Sequence, residues 1–298
     1  MSETRCEGVM PAVLTLFDAE GNLDEERQRE HVDWLIAEGV SGLVMTGTIG
    51  ESASLTADEI ATVTRTAVET ADGRVPVFTG LAAQSLREVT EKIEVAEQAG
   101  TSGFMCLGPT TYAADWEELK AWFKGIAAAT DRPLIVYNNP DIARCDLLPE
   151  QLGELAELVP NMVAIKESSP EVRRVAALRE LLEGRVSILC GVDDVAMEAA
   201  CIGADGWISG VTNVVPAASV ELFEHARAGR LAEAWELNKR MLPLARLDVT
   251  SKLVHYYKRC LDEIGRYGGP CRPPRSHLSE TEVAEVHRAL EVFNGSAA

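Results

Sequence analysis

The chain has 298 residues, 46% hydrophobic and 25% charged, an ordinary globular composition with length for a large core. Its formal net charge is -19, from 47 acidic against 28 basic residues. That balance excludes the basic faces that nucleic acids and anionic membranes require, so neither is expected as a partner. The acidic residues are spread over helical stretches such as Asp24-Glu25-Glu26 and Glu117-Glu118, as on a solvated surface. No apolar run approaches the length of a membrane span, and the polar first residues lack the apolar stretch of a secretory signal. The seven cysteines are odd in number, widely spaced and without a C-x-x-C. They predict reduced thiols in a cytoplasmic protein, with Cys106 and Cys190 as core filler. The five histidines show no ligand spacing, and no metal site is expected.

In chain order, short apolar runs alternate with amphipathic helical patterns. A strand at 9–16 precedes a helix at 25–38, and a strand at 42–46 precedes a helix at 57–71. The pairs 75–80 with 85–99, 103–107 with 115–129, and 134–138 with 149–158 follow. The last three are 163–166 with 171–183, 187–191 with 193–202, and 206–209 with 216–228. Start signals agree with these bounds: Thr56 precedes Asp58-Glu59, Ser85 is followed by Glu88, and Ser169-Pro170-Glu171 puts proline in a first helical turn. Gly39, Gly73, Gly100 and Gly184 stand just past helices, where a left-handed residue is wanted. Eight β-then-α units in a row argue for a (β/α)8 TIM barrel over 1–228. The doubly wound sheet is the rival, but its glycine-rich dinucleotide turn is missing. Helical patterns at 231–247, 249–264 and 279–293 form a C-terminal helical extension, 229–298, packed on the barrel, with a Gly/Pro/Arg-rich loop at 265–277.

Such barrels place their active site at the C-terminal ends of the strands. Those ends hold Gly47-Thr48-Ile49-Gly50-Glu51-Ser52, Gly108-Pro109-Thr110-Thr111-Tyr112, Tyr137-Asn138-Asn139-Pro140, Lys166, Gly191-Val192-Asp193-Asp194 and Ile208-Ser209-Gly210. Lys166 follows the apolar run Met162-Val163-Ala164-Ile165. Burial there disfavours the ammonium form and frees the amine to attack a carbonyl carbon. The competing reading is a lysine with a buried stem and a head in water or paired with Glu167. Tyr137 ends the neighbouring strand and can serve as the acid/base that imine chemistry needs beside the amine; alone it would read as a core aromatic. The Gly47–Gly50 turn could offer backbone N–H groups to a carboxylate. It is no phosphate loop, because no Gly-Lys-Ser/Thr follows.

The ordered set Gly47-Thr48-x-Gly50-Glu51-Ser52, Tyr137-Asn138-x-Pro140, Ile165-Lys166-Glu167-Ser168, Gly191-x-Asp193-Asp194 and Arg272-Pro273-Pro274 resembles the dihydrodipicolinate synthase / N-acetylneuraminate lyase family, across roughly residues 8 to 294. The resemblance implies a barrel with a C-terminal helical extension in a homo-oligomer, a tetramer or dimer. It implies Schiff-base chemistry on a small 2-oxo or imino acid with no metal or organic cofactor. By position it makes Lys166 the Schiff-base lysine, Tyr137 the proton-transfer tyrosine and Thr48 the hydroxyl beside it, with the 48–49 N–H groups on the substrate carboxylate. Gly47, Ile49, Gly50, Tyr112, Asn139, Ile208 and Ser209 complete the expected substrate-binding set.

The synthases of that family usually carry a second threonine where this chain has Ile49. They have Tyr-Tyr after the strand-four proline, where Thr110-Thr111 precede Tyr112, and an arginine where this chain has Ile142, with Arg144 two places on. An apolar side chain cannot replace a guanidinium fork on a carboxylate. Tyr137-Asn138-Asn139-Pro140 and Leu247-Asp248-x-x-x-Lys252-Leu253-Val254 resemble instead a branch with 1-pyrroline-4-hydroxy-2-carboxylate deaminases and hydratase-aldolases. The expected activity is therefore deamination of that imino acid to 2,5-dioxopentanoate. The alternatives are 4-hydroxy-tetrahydrodipicolinate synthase, another 2-oxo acid aldolase or hydratase-aldolase, and a non-catalytic 2-oxo acid sensor. A pyridoxal phosphate enzyme built on Lys166 lacks a phosphate site in the sequence.

Overall fold

The computed structural model describes residues 6–295. Eight parallel strands form one sheet: β1 (Gly8–Pro11), β2 (Leu43–Met45), β3 (Val77–Leu81), β4 (Gly103–Leu107), β5 (Leu134–Asn138), β6 (Met162–Glu167), β7 (Ser187–Cys190) and β8 (Gly206–Ser209). Their order is β1-β8-β7-β6-β5-β4-β3-β2, and the parallel bridge Ala12↔Val44 joins the two ends into a ring. Every residue of β3, β4 and β5 is buried, as in strands packed on both faces between a barrel interior and its helices. This is the expected (β/α)8 barrel.

The outer layer is α1 (Glu25–Ala37), α2 (Ala57–Ala71), α3 (Leu86–Gln98), α4 (Trp116–Ala129), a short α5 (Pro140–Ala143), α6 (Pro149–Leu158), α7 (Arg173–Leu182), α8 (Ala196–Cys201) and α9 (Pro216–Arg227). The caps read from the sequence form: Thr56 and Glu59 make a reciprocal box at α2, and Ser85 accepts from Glu88 N at α3. Gly39, Gly73, Gly100 and Gly184 all have positive φ. Beyond α9, α10 (Leu231–Ala245), α11 (Leu253–Glu263) and α12 (Glu280–Phe293) form the C-terminal helices, with α12 packed on α10 and α11. Lys252 binds Glu282 at 2.7 Å and the Tyr256 hydroxyl donates to Glu285 at 2.7 Å, tying α11 to α12.

Several boundaries differ from expectation. The first strand stops at Pro11 instead of running to 16; Ala12 and Val13 still donate to the backbone of Ser209 and Val44, and from Leu14 on side chains take over. Leu14 N donates to Asn213 Oδ1 and Leu16 N to Gln28 Oε1. Pro170 lies ahead of α7, which begins at Arg173 after Ser169 N has donated to Glu167. The helix expected at 193–202 is cut to α8 by a tight turn at Asp193–Val195, whose buried aspartate is committed to neighbours across the barrel mouth. The short α5 was not anticipated; Asn139 caps it by accepting from Ile142 N, with Pro140 in its first turn. Likewise 249–264 resolves into a turn, Arg246–Val249, and α11. All seven cysteines are free, and Cys106 and Cys190 are buried.

Candidate active site

Strand register brings the two central residues together. Tyr137 on β5 and Lys166 on β6 are direct register partners, so their side chains leave the sheet on one face. Lys166 is 5% exposed and its Nζ lies 4.3 Å from the centre of the Tyr137 ring. Among the described residues no carboxylate stands within ion-pairing distance of that amine. Glu167, one residue on, points to the opposite face. It accepts from Asn138 Nδ2 at 3.0 Å and from Ser169 N at 2.6 Å, and burial raises its carboxyl above the usual range. The Lys166–Glu167 pairing that competed with a reactive lysine is therefore not made. Gly191 is needed for space: a Cβ there would fall 2.7 Å from Lys166 Cε and 1.9 Å from Ser168 Oγ. The nearby Cys190 thiol is pushed up to about 12 by burial, so it is no competing nucleophile.

The turn after β2 supplies the facing wall. Thr46 and Glu51 both adopt left-handed backbone, φ 51° and 56°, at a cost of roughly 1–2 kcal/mol each. The surroundings hold them there. Thr46 Oγ1 donates to Gly80 O at 3.1 Å, and Thr15 Oγ1 to Gly50 O at 2.7 Å. The Glu51 carboxylate is fully buried against Lys258 Nζ at 2.8 Å and Arg275 Nη1 at 3.2 Å, and accepts from Arg272 N at 3.1 Å. Lys258 and Arg275 come from the C-terminal helices and their loop, so the extension clamps the turn. Among the described residues the Thr48 and Ile49 N–H groups have no protein acceptor.

These elements enclose a cavity of about 80 Å³. With about 10–15 Å³ per water-sized group, this is room for a ligand of about six non-hydrogen atoms. Thr48 and Ile49 line one side, Tyr137, Asn139 and Ile142 the end of β5, and Lys166 the floor; Ile208 and Gly210 close the β8 side. Asn139 Nδ2 donates to the Tyr137 hydroxyl at 2.8 Å and fixes its direction. Of the expected residues, Lys166, Tyr137, Thr48, Ile49, Asn139 and Ile208 meet here. Gly47 and Gly50 shape the turn behind the wall. Ser209 is buried with its hydroxyl accepting from Thr212 N. Tyr112 is 44% exposed on the loop after β4 and does not reach the cavity of its own chain. Met105, Leu253 and Asp248 line it without having been expected. Asp248 and Leu253 stand in the Leu247–Val254 motif noted above, but helical periodicity does not show that this segment returns to the barrel mouth.

Barrel enzymes carry their chemistry at this end, and an enclosed amine free of ion pairing suits imine formation; the family match makes the chain an enzyme of the Schiff-base lyase class. It belongs to the dihydrodipicolinate synthetase family, whose model matches residues 5–293. It is 32% identical over 284 residues to the 4-hydroxy-tetrahydrodipicolinate synthase of Mesorhizobium japonicum, covering 95% of this chain and 97% of that one. The Stutzerimonas stutzeri enzyme of the same name is 34% identical over 283 residues, with the same coverage. Among solved structures, the 4-hydroxy-tetrahydrodipicolinate synthase of Methylacidiphilum fumariolicum superposes with a TM-score of 0.93 at 27% identity, covering 98% of this chain and 97% of that one. The Acinetobacter baumannii dihydrodipicolinate synthase, complexed with pyruvate, gives 0.91 at 30% identity, covering 97% and 99%.

Proposed function

We propose that Lys166 attacks C2 of a small 2-oxo acid and forms an imine, with Tyr137 moving protons at the forming and breaking bonds and Thr48 beside it. The free N–H groups at 48–49 hold the substrate carboxylate. The observation that carries this reading is the amine of Lys166, buried, unpaired and stacked on Tyr137. Imine formation turns the adjacent carbon into an enamine nucleophile with no cofactor required. The named relatives favour condensation of pyruvate with aspartate semialdehyde over the deamination that the sequence motifs suggested.

A second reading keeps deamination of 1-pyrroline-4-hydroxy-2-carboxylate. It is favoured by Ile49 and Ile142 in the cavity wall, where Lys166 is the only cation among the described residues to meet a second carboxylate. In it Lys166 opens the ring at C2, water leaves from C4, and hydrolysis releases ammonia and 2,5-dioxopentanoate. The assembly we infer is a cytoplasmic homo-oligomer, a tetramer or dimer, of a barrel spanning 1–228 and an extension spanning 229–298. No helix among the described residues is long and apolar enough to cross a membrane.

Borohydride with pyruvate should add a stable mass at Lys166 and none in Lys166→Ala. Equal labelling of the two proteins would remove the mechanism. Product assays with the two substrate sets then separate condensation from deamination.

A further inference from the structure

Two aspartates approach the β8 corner of the cavity, and the structure treats them differently. Asp193 is fully committed to the protein. It accepts from Trp207 Nε1 at 2.9 Å, Gly210 N at 3.1 Å, Val211 N at 2.7 Å and the Tyr257 hydroxyl at 3.1 Å. Asp248, from the turn between α10 and α11, is the carboxyl that lines the cavity itself, and among the described residues none donates a hydrogen bond to it. A bare backbone at Gly210 admits it. A Cβ there would fall 3.0 Å from Asp248 Oδ1 and 2.6 Å from Ile49 Cδ1. One corner therefore gathers an apolar side chain and an unengaged carboxyl, in the cavity that Thr48 and Ile49 also line.

We propose that Asp248 is a further substrate-contacting residue, a carboxyl brought in by the C-terminal extension that hydrogen-bonds a carboxylate oxygen of the bound 2-oxo or imino acid. This rests on the imine-forming reading and names how the acid end of its substrate is recognised. The charges facing Asp248 are Asp193, Asp194 and Lys166, with the Tyr257 hydroxyl beside Asp193. Burial first, then the two aspartates, hold its carboxyl well above the usual range, while Lys166 pulls the other way. A neutral acid carries one O–H donor, and this half-buried one has no acceptor among the described residues. The Ile49 side chain beside it offers no hydrogen-bonding group, so a ligand in the cavity can supply the partner. The ligand group that suits both this donor and two backbone N–H groups is a carboxylate.

The test measures the pyruvate concentration that half-saturates borohydride labelling of Lys166 in wild type, Asp248→Asn and Asp248→Leu. Asn keeps an N–H donor and should stay within about threefold of wild type. Leu keeps the branching at Cγ and loses the donor, and should need at least about tenfold more pyruvate. Leu should melt within about 1 kcal/mol of wild type, since Asp248 is half-buried and makes no hydrogen bond to the described residues. As pH rises above the usual carboxylate range, the wild-type value should rise relative to Asn, as Asp248 ionises and comes to repel the substrate. If wild type labels and Leu saturates as it does, or the wild-type-to-Asn ratio stays flat with pH, the Asp248 assignment is overturned and the lysine chemistry stands. If wild type does not label, both fall.

Discussion

Lys258→Met tests whether the C-terminal helices hold the turn after β2 that lines the cavity. The lysine is 2% exposed and its ammonium lies 2.8 Å from Glu51 Oε1, a carboxylate with no exposed surface. Removing one partner of a buried pair leaves the other charge uncompensated, at about 3–5 kcal/mol. Two features set the expected loss at the lower end, about 3 kcal/mol. Arg275 at 3.2 Å and Arg272 N remain on Glu51, and burial already weighs against the Lys258 ammonium, lowering its pKa before Glu51 pulls it back. Glu51→Gln should cost a similar amount, because it strands Lys258 with the Pro270 carbonyl and the face of Phe17 as its remaining contacts. The double variant Glu51→Gln/Lys258→Met should cost less than the sum of the singles by about 2 kcal/mol. Urea unfolding followed by tryptophan fluorescence and circular dichroism gives the three values, provided the two probes coincide. Because Glu51 sits left-handed three residues after Thr48, labelling of Lys166 should slow in Lys258→Met. Additive singles, coupled by under about 0.5 kcal/mol, with unchanged labelling, would refute the clamp.

Tyr137→Phe removes the hydroxyl that Asn139 orients and should lower turnover by about 10²–10⁴, while slow borohydride labelling of Lys166 persists. Gly191→Ala places a methyl 2.7 Å from Lys166 Cε; labelling should fall at least about tenfold with the fold intact by circular dichroism. His31 is buried, its Nε2 3.1 Å from Asn213 Oδ1, and burial lowers its pKa from 6.5 to about 4. Because its folded pKa lies below its unfolded value, its contribution is complete above about pH 6.5. It is lost as pH falls toward about 4, by up to about 3 kcal/mol. Urea midpoints of wild type and His31→Gln should converge across that window, and parallel curves would exclude His31 as the cause.

The barrel was legible because its signals are local. Most strands are short apolar runs and several helices carry their own caps, so Thr56, Ser85 and the glycines past the helices fix boundaries without tertiary knowledge. Boundaries failed where a side chain from far along the chain did the work of a ladder. Asn213 and Gln28 end the first strand early, and nothing within 9–16 signals their arrival. Lys166 and Tyr137 were legible for a related reason: both end strands that are adjacent in sequence order, and a parallel sheet of consecutive units makes them neighbours. The sequence left open whether Lys166 pairs with Glu167. The two-residue period of the strand decides it, sending the carboxylate to Asn138 and Ser169.

The residues not anticipated come from the segment that helical periodicity describes least. Patterns at 231–247 and 249–264 give helices and a packing face, but not the turn between them that carries Asp248 to the cavity. That placement has a consequence for specificity. The strand positions are constrained by ring closure and register, so Lys166 and Tyr137 cannot shift without the sheet. Among the described residues the Arg246–Val249 turn hydrogen-bonds no strand, and Leu253 heads a helix outside the barrel, so both can vary while the Lys166–Tyr137 pair stays fixed. With Ile49 and Ile142 apolar, a change in which acid this site accepts is expected to follow substitutions at 248 and 253 more closely than any within the strands. Exchanging Asp248 and Leu253 should change relative kcat/KM among 2-oxo acids while the labelling of Lys166 at saturating pyruvate stays the same. Loss of that labelling, with no change in substrate order, would place specificity back in the barrel.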